Sequence, residues 1–330
     1  MQNEELKNQI DKWALEQLTS LGYSVMDNNL ENILDTPWSY LARYKTSSGL
    51  VYLKHTPELF SLEPAVIKLL SDKFNASVPV VLATNPQLNC FLMQDAGTNL
   101  RQLLKEGFDE ELIFRTIEQF TALQTSIEDQ VDIFFDIGVP DYQLEKLPSL
   151  YADLIAQNDL LIAEGLSDTE ISKLGKLTDT VVGLCAQLSG HNIKQTIVQP
   201  DFNDNNTLVD DERQKITIID LGEIVISHPF FSLLNFLQQI KKHHGLTEED
   251  DLYQRLKDAC FKKYRGCFAT DKDFQDALAT AKLASKIYAL AYQYRFMMAC
   301  GKEDLVSYQH WKLSDLLKDF MITFEKQVEP

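Results

Sequence analysis

The chain has 330 residues, 45% of them hydrophobic and 24% charged, which is enough for one large or two modest domains with a real core. Its 49 acidic residues exceed its 31 basic ones by 18. Such an excess repels nucleic acid and anionic membranes, and no run of Lys or Arg longer than a pair offsets it.

Residues 4–21 carry Leu6, Ile10, Trp13, Leu18 and Leu21 at spacings that predict an amphipathic helix, with Gly22 as its stop. Residues 39–45 and 50–54 flank Thr46-Ser47-Ser48-Gly49 and predict a hairpin. In its second strand Leu50, Tyr52 and Lys54 share one face, and Val51 and Leu53 the other. A helix follows, with Ser61 as its expected cap, Pro64 in its first turn and an apolar stripe of Val66, Ile67, Leu70 and Phe74. Glu63 precedes that stripe at helical spacings, so it is expected to face inward. An inward carboxylate needs a cation or a donor, and Lys54 is the candidate.

Residues 78–82 and 90–93 predict two further strands, with Asn85-Pro86 turning between them. Gln94-Asp95-Ala96-Gly97 breaks the pattern and is expected to divide a sheet-rich lobe over 1–95 from a helical lobe over 96–330. Helices are expected near 99–105, 109–126, 143–157 and 168–188, and again towards the C-terminus. The fold class is therefore α+β, with no internal repeats.

Residues 196–222 interrupt the helices. Thr207-Leu208-Val209 and a strand carrying Ile216, Ile218 and Asp220 on one face are expected to pair as a hairpin, with Asn206 opposite Ile219 or Asp220. Between residues 200 and 206 Asp and Asn dominate, which are turn formers. Asp201, Asn206 and Asp220 would then converge. Hard oxygen donors of this kind suit Mg2+. Phosphoryl transfer needs such a metal, an Asp for the hydroxyl proton and a Lys on the nucleotide. Taken singly, each signal has an ordinary explanation as a turn, a solvated lysine or a helix-start carboxylate. Their order and their setting on strands and helices give the set its weight.

The five cysteines are odd in number and none are spaced as a zinc or redox motif, so free thiols in a reducing cytoplasm are expected. The first residues are acidic early and lack the apolar run of a signal peptide. A soluble, cytoplasmic protein is the expectation.

From about Trp38 to about Leu237 the sequence resembles the aminoglycoside phosphotransferase and choline kinase family, small-molecule relatives of the protein kinases with a two-lobed protein-kinase-like fold. Gln199-Pro200-Asp201 with Asn206 matches the family's His-Gly-Asp motif and its later Asn, and Ile219-Asp220 matches its metal-binding motif. His228-Pro229-Phe230-Phe231-Ser232-Leu233 is similar to the segment that follows in many bacterial members. The resemblance implies Asp201 as catalytic base and Asn206 and Asp220 as ligands of Mg2+. It implies Lys54, held by Glu63, on the phosphates of ATP or GTP, with Ser39 in the turn over them. It also implies Gln94 to Ala96 as the hinge that binds adenine. Gln199 and Pro200 depart from His and Gly, Ser232 stands where many members carry a structural Asp, and the phosphate-covering turn has no glycine.

The function expected is ATP-dependent phosphorylation of a hydroxyl on a small molecule, such as an aminoglycoside, a choline-like alcohol or a related metabolite. The alternative is a pseudokinase that binds nucleotide or acts as a scaffold without turnover. Tyr288, Tyr292 and Arg295 share a helix face that suits either a pocket or plain packing, and Glu248 to Asp251 read as a solvated helix start.

Overall fold

The computed structural model describes residues 4–26, 30–301, 305 and 312–328. They form two compact units. The first holds residues up to 123 together with 203–223 and 299–301, and the second holds 124–202, 224–298 and the residues from 305 onward.

The first unit opens with helix α1 (Glu4–Ser20), followed by strands β1 (Glu31–Thr36), β2 (Ser39–Thr46) and β3 (Gly49–His55). Helix α2 (Glu63–Phe74) and strands β4 (Val81–Asn85) and β5 (Cys90–Gln94) come next. The five strands form an antiparallel sheet in the order β1-β2-β3-β5-β4. Ile10, Ala14 and Leu18 of α1 pack against Tyr40, Ala42, Tyr44, Val51, Leu53, Cys90 and Leu92. Leu21, expected on that face, is 46% exposed, and Ala14 takes its place in the core.

Three expectations need correcting. Ser61 does not cap α2: a 3-10 turn over Glu58–Phe60 runs into the helix, Leu62 is the cap residue, and Ser61 Oγ donates to the Glu58 carbonyl at 2.7 Å. Residues 78–80 are not strand, because Pro79 lacks the N–H that a ladder needs. The single helix expected over 168–188 is two, α8 (Asp168–Lys176) and α9 (Thr178–Ser189), broken at Leu177.

After β5 come β6 (Thr98–Asn99), α3 (Leu100–Glu106), α4 (Glu110–Ile127), α5 (Asp132–Asp136), α6 (Leu147–Ile155) and α7 (Asn158–Ala163). Beyond α9 lie β7 (Thr196–Val198), β8 (Thr207–Val209), β9 (Ile216–Ile218) and β10 (Val225–Ser227). Helices α10 (Phe230–His244), α11 (Asp251–Phe261), α12 (Asp271–Cys300) and α13 (Leu313–Val328) complete the chain. In the first unit β6, β8 and β9 make a second small sheet, and in the second unit β7 pairs with β10. The second unit's core is aromatic: Phe230 meets Phe261 at 4.7 Å and Tyr264 at 5.4 Å between ring centroids. Among the described residues no helix is long and apolar enough to cross a membrane.

Candidate functional site

Strand alternation decides where Lys54 points. Val51 and Leu53 lie under α1, so Lys54 emerges on the opposite face of β3. There it meets Glu63, the first residue of α2. Lys54 Nζ is 2.6 Å from Glu63 Oε2 and 2.6 Å from Asp220 Oδ1. The Lys54 and Glu63 side chains are only 8% and 2% exposed, whereas Asp220 is 40% exposed. Glu63 Oε1 accepts the Leu221 N–H at 3.1 Å. Residues 166 positions apart are thus joined through one ammonium.

Asp220 reaches this point by leaving the strand. β9 ends at Ile218 and Asp220 takes φ +63°. The expectation that Asp220 continues the face of Ile216 and Ile218 is therefore corrected. A non-glycine residue in the left-handed region costs of order 1 kcal/mol and persists where its surroundings demand it. Here the turn delivers Asp220 Oδ1 to Lys54 and the next N–H to Glu63. Gly222 closes the turn, and a Cβ there would stand 2.8 Å from the Phe60 carbonyl oxygen and 3.3 Å from Glu63 Cβ.

Burial alone would make Lys54 shed its proton more easily. Asp220, and then Glu63, outweigh that and hold its pKa above the ordinary lysine value. Burial pushes Glu63 up, against the pull of Lys54. With both acids ionised the trio carries one net negative charge, and its half-open member is Asp220.

The loop before β8 is built by side-chain caps. Asn203 Oδ1 accepts from the N–H groups of Asn205 at 2.7 Å and Asn206 at 3.3 Å, winding a 3-10 turn over Asp204–Asn206. Arg101, in the first turn of α3, donates from Nε and Nη2 to the fully buried Asp204 Oδ1 at 2.9 and 2.7 Å, and from Nη2 to Asn203 Oδ1 at 3.3 Å. The β8–β9 hairpin pairs Thr207 with Ile218, and the Ile219 N–H donates to the Asn206 carbonyl at 3.1 Å. Asn206 and Asp220 therefore become neighbours along one hairpin end, as the sequence pattern predicts.

In the second unit, Ser232 Oγ accepts the Gln199 N–H at 2.9 Å and donates to the Gln199 carbonyl at 3.0 Å. Asn235 Nδ2 donates to the Phe202 carbonyl at 3.2 Å, and the Phe202 ring stacks on Phe236 at 4.9 Å. Asp201 stands exposed between these two anchored residues.

Of the remaining expected positions, Ser39 and Gln94 lie on the first sheet. Ser39, buried at the start of β2, gives its N–H to Thr36 Oγ1 at 3.1 Å and closes a tight turn without glycine. Gln94 pairs with Val51, three residues along β3 from Lys54. Its N–H is taken by the Val80 carbonyl at 2.9 Å and that of Asp95 by Leu50 at 3.2 Å. Ala96 follows outside any strand. Tyr288 and Tyr292 form an aromatic stack, with ring centroids 6.4 Å apart, that Phe231 extends at 5.0 Å.

The sequence reading missed Arg101, Asn203, Asp204 and Asn235. Asn203 carried a detectable signal, since an Asn whose side chain can reach the N–H groups two and three residues on is a capping pattern. Arg101 carried none, because its partner lies 103 positions away.

The donors present fit a metal of the kind expected. Among the described residues no three His, Cys, Asp or Glu side chains gather into a metal cage. One amide and one carboxylate, at Asn206 and Asp220, suit a hard cation that keeps most of its ligands for phosphate and water.

No family model matches the sequence, and no curated protein matches it. Solved structures do. The amicoumacin kinase hAmiN, in complex with AMP-PNP, Ca2+ and Ami, aligns with a TM-score of 0.59 at 14% identity, covering 98% of this chain and 96% of that one. A Plasmodium vivax ethanolamine kinase gives 0.60 at 13% identity, covering 98% and 89%. The GDP and kanamycin complex of APH(2")-IIia gives 0.56 at 13% identity, covering 96% and 99%. The chain has the two-lobed α+β, protein-kinase-like fold that these proteins share. A fold hosts many activities, so function rests on the site itself.

Proposed function

We propose that the chain is a nucleotide-dependent small-molecule kinase, transferring the terminal phosphoryl group of ATP, or of GTP, to a hydroxyl. The observation that carries this reading is the single buried ammonium of Lys54 held 2.6 Å from both Glu63 and Asp220. A structural ion pair needs one carboxylate. A lysine fixed by a buried Glu and a half-exposed Asp is positioned to grip phosphate, with the Asp carboxylate beside it as a hard donor of the kind a cation takes. The named ligands of the similar structures, AMP-PNP in one and GDP in another, support a nucleotide.

In this reading Asp201 accepts the proton of the acceptor hydroxyl as its oxygen bonds to phosphorus, and the nucleoside diphosphate leaves. Asn206 and Asp220 would hold Mg2+, which would supply positive charge to offset the charge that builds on the transferring phosphoryl group. Ser39 lies in the turn over the phosphates, and the backbone from Gln94 to Ala96 takes the adenine edge. Gln199, in place of the family's His, keeps the loop through its backbone bonds to Ser232.

The test is coupled nucleotide consumption across aminoglycosides, choline, ethanolamine and related alcohols, with the Asp201→Asn variant as the blank. Acceptor-dependent turnover that disappears in that variant is expected. Nucleotide binding without turnover on any acceptor would instead identify a binding protein, and absence of nucleotide binding with and without Mg2+ would overturn the reading.

A further inference from the structure

The second unit carries a cavity of about 390 Å3 between α10, α11, α12 and α13. That volume is in the range of small-molecule sites, roughly 300–1,000 Å3. Its floor is apolar, with Leu237, Phe261 and Leu278 buried. Its rim carries Lys241, Lys257, Lys282 and Lys286 against Glu248 and Asp319. In a chain with 18 more acids than bases, this is a local reversal of sign.

The carboxylates do not cancel the lysines. Lys241 donates to Glu248 at 2.9 Å, and Lys286 pairs with Asp319. Lys257 and Lys282 make no ion pair among the described residues, so two positive charges remain at the rim. Lys282 and Lys286 stand four apart on α12, a like-charged spacing that disfavours the helix unless an anion lies between them. Glu248 shows what this field prefers. The Lys241 hydrogen bond and charge, with help from Lys282 and Lys257, hold its carboxyl below the ordinary range.

The cavity is separate from the catalytic loop. At about 3.6 residues per turn, Ser232, Asn235 and Phe236 occupy one face of α10 and hold Gln199 and Phe202. Leu234, Leu237, Gln238 and Lys241 occupy the opposite face and line the cavity.

We propose that this cavity is a second ligand site, taking a small anion with an apolar body: a phosphate monoester or carboxylate. Its head is held by Lys257 and Lys282, and its body rests on Leu237, Phe261 and Leu278.

Calorimetric titration with phenyl phosphate tests this, with benzyl alcohol supplying the ring without charge and inorganic phosphate the charge without the ring. Saturable binding of phenyl phosphate is expected, weakened by roughly tenfold or more in Lys257→Gln/Lys282→Gln, where charge-assisted contacts are lost. Binding should be unchanged in Lys12→Gln/Lys105→Gln, which removes the same charge from other exposed positions. It should also be unchanged in Lys54→Met, which separates this site from the phosphate grip proposed above. Bound phenyl phosphate should protect Lys257 and Lys282 from acetylation. Absence of saturable binding at millimolar concentration, equal affinity in Lys257→Gln/Lys282→Gln, or equal affinity for either half-ligand would overturn the proposal. None of these readouts uses phosphotransfer, so failure here leaves the kinase reading standing, and failure of that reading leaves this site standing.

Discussion

Arg101 places two nitrogens, at 2.9 and 2.7 Å, on one oxygen of Asp204, a carboxylate with no exposed surface. The pair ties α3 to the turn that leads into Asn206. Removing one member of a buried pair leaves the other's charge uncancelled by it, at a cost of about 3–5 kcal/mol. Arg101→Met is therefore expected to lower stability by that order in urea unfolding. Asp204→Asn, which keeps an oxygen acceptor, should cost less. A loss below about 1 kcal/mol in Arg101→Met would mark the pair as energetically a surface one.

Lys54 and Glu63 invite a comparison between two variants. Lys54→Met removes the shared cation and leaves Glu63 facing Asp220 without the ammonium between them. Glu63→Gln keeps an oxygen for the Leu221 N–H and leaves Lys54 bound to Asp220 alone. The expected order of kcat/KM is wild type, then Glu63→Gln, then Lys54→Met, with the last down by roughly 100- to 1,000-fold, the scale of losing one preorganised electrostatic contact. Equal losses in both would show that Glu63 matters as much as the ammonium it orients.

Most of this site was legible because its signals are local. Alternation in β3 separated Lys54 from Leu53, helical spacing turned Glu63 inward, and the hairpin pattern brought Asn206 to Ile219. What was illegible depends on long-range partners or on backbone strain. Nothing near residue 101 announces Asp204, and alternation carried through β9 put Asp220 on a strand that had already ended. The start of α2 was misread for a related reason. Ser61 suits a cap, yet a 3-10 turn already supplies the helix with its entry.

Gly222 makes the contact between that turn and α2 testable. A methyl group there would fall 2.8 Å from the Phe60 carbonyl and 3.4 Å from Glu63 Oε2. Backbone has to move, since the nearest atom is not a flexible side chain. Gly222→Ala is expected to cost about 1–3 kcal/mol of stability, as overpacking does. Because Glu63 Cβ lies next in its path at 3.3 Å, it should also weaken nucleotide binding. Loss of stability with unchanged nucleotide affinity would show that the Lys54–Glu63 pair tolerates the shift.

His228 is expected to make stability depend on pH on the acid side. It is fully buried, and its Nδ1 accepts the Phe230 N–H at 3.3 Å. Burial, with a smaller push from His191, lowers its pKa to about 3, whereas an unfolded histidine titrates near about 6.5. Above the unfolded value neither state binds this proton, and the contribution is flat. As the pH falls below it, the unfolded chain takes up a proton that the folded chain refuses until about 3. Stability should then fall by about 1.4 kcal/mol per pH unit through that window. His228→Asn keeps an oxygen acceptor for Phe230 and cannot titrate. Carboxyls that burial raises, such as Glu63 and Asp11, remain in both proteins and cancel in the difference. Urea unfolding of the two proteins from neutral pH to about pH 4.5 should show wild-type stability falling relative to His228→Asn by close to 3 kcal/mol, about two units of this slope. Parallel curves would mean that His228 accepts its proton without unfolding, through a local opening at the start of α10.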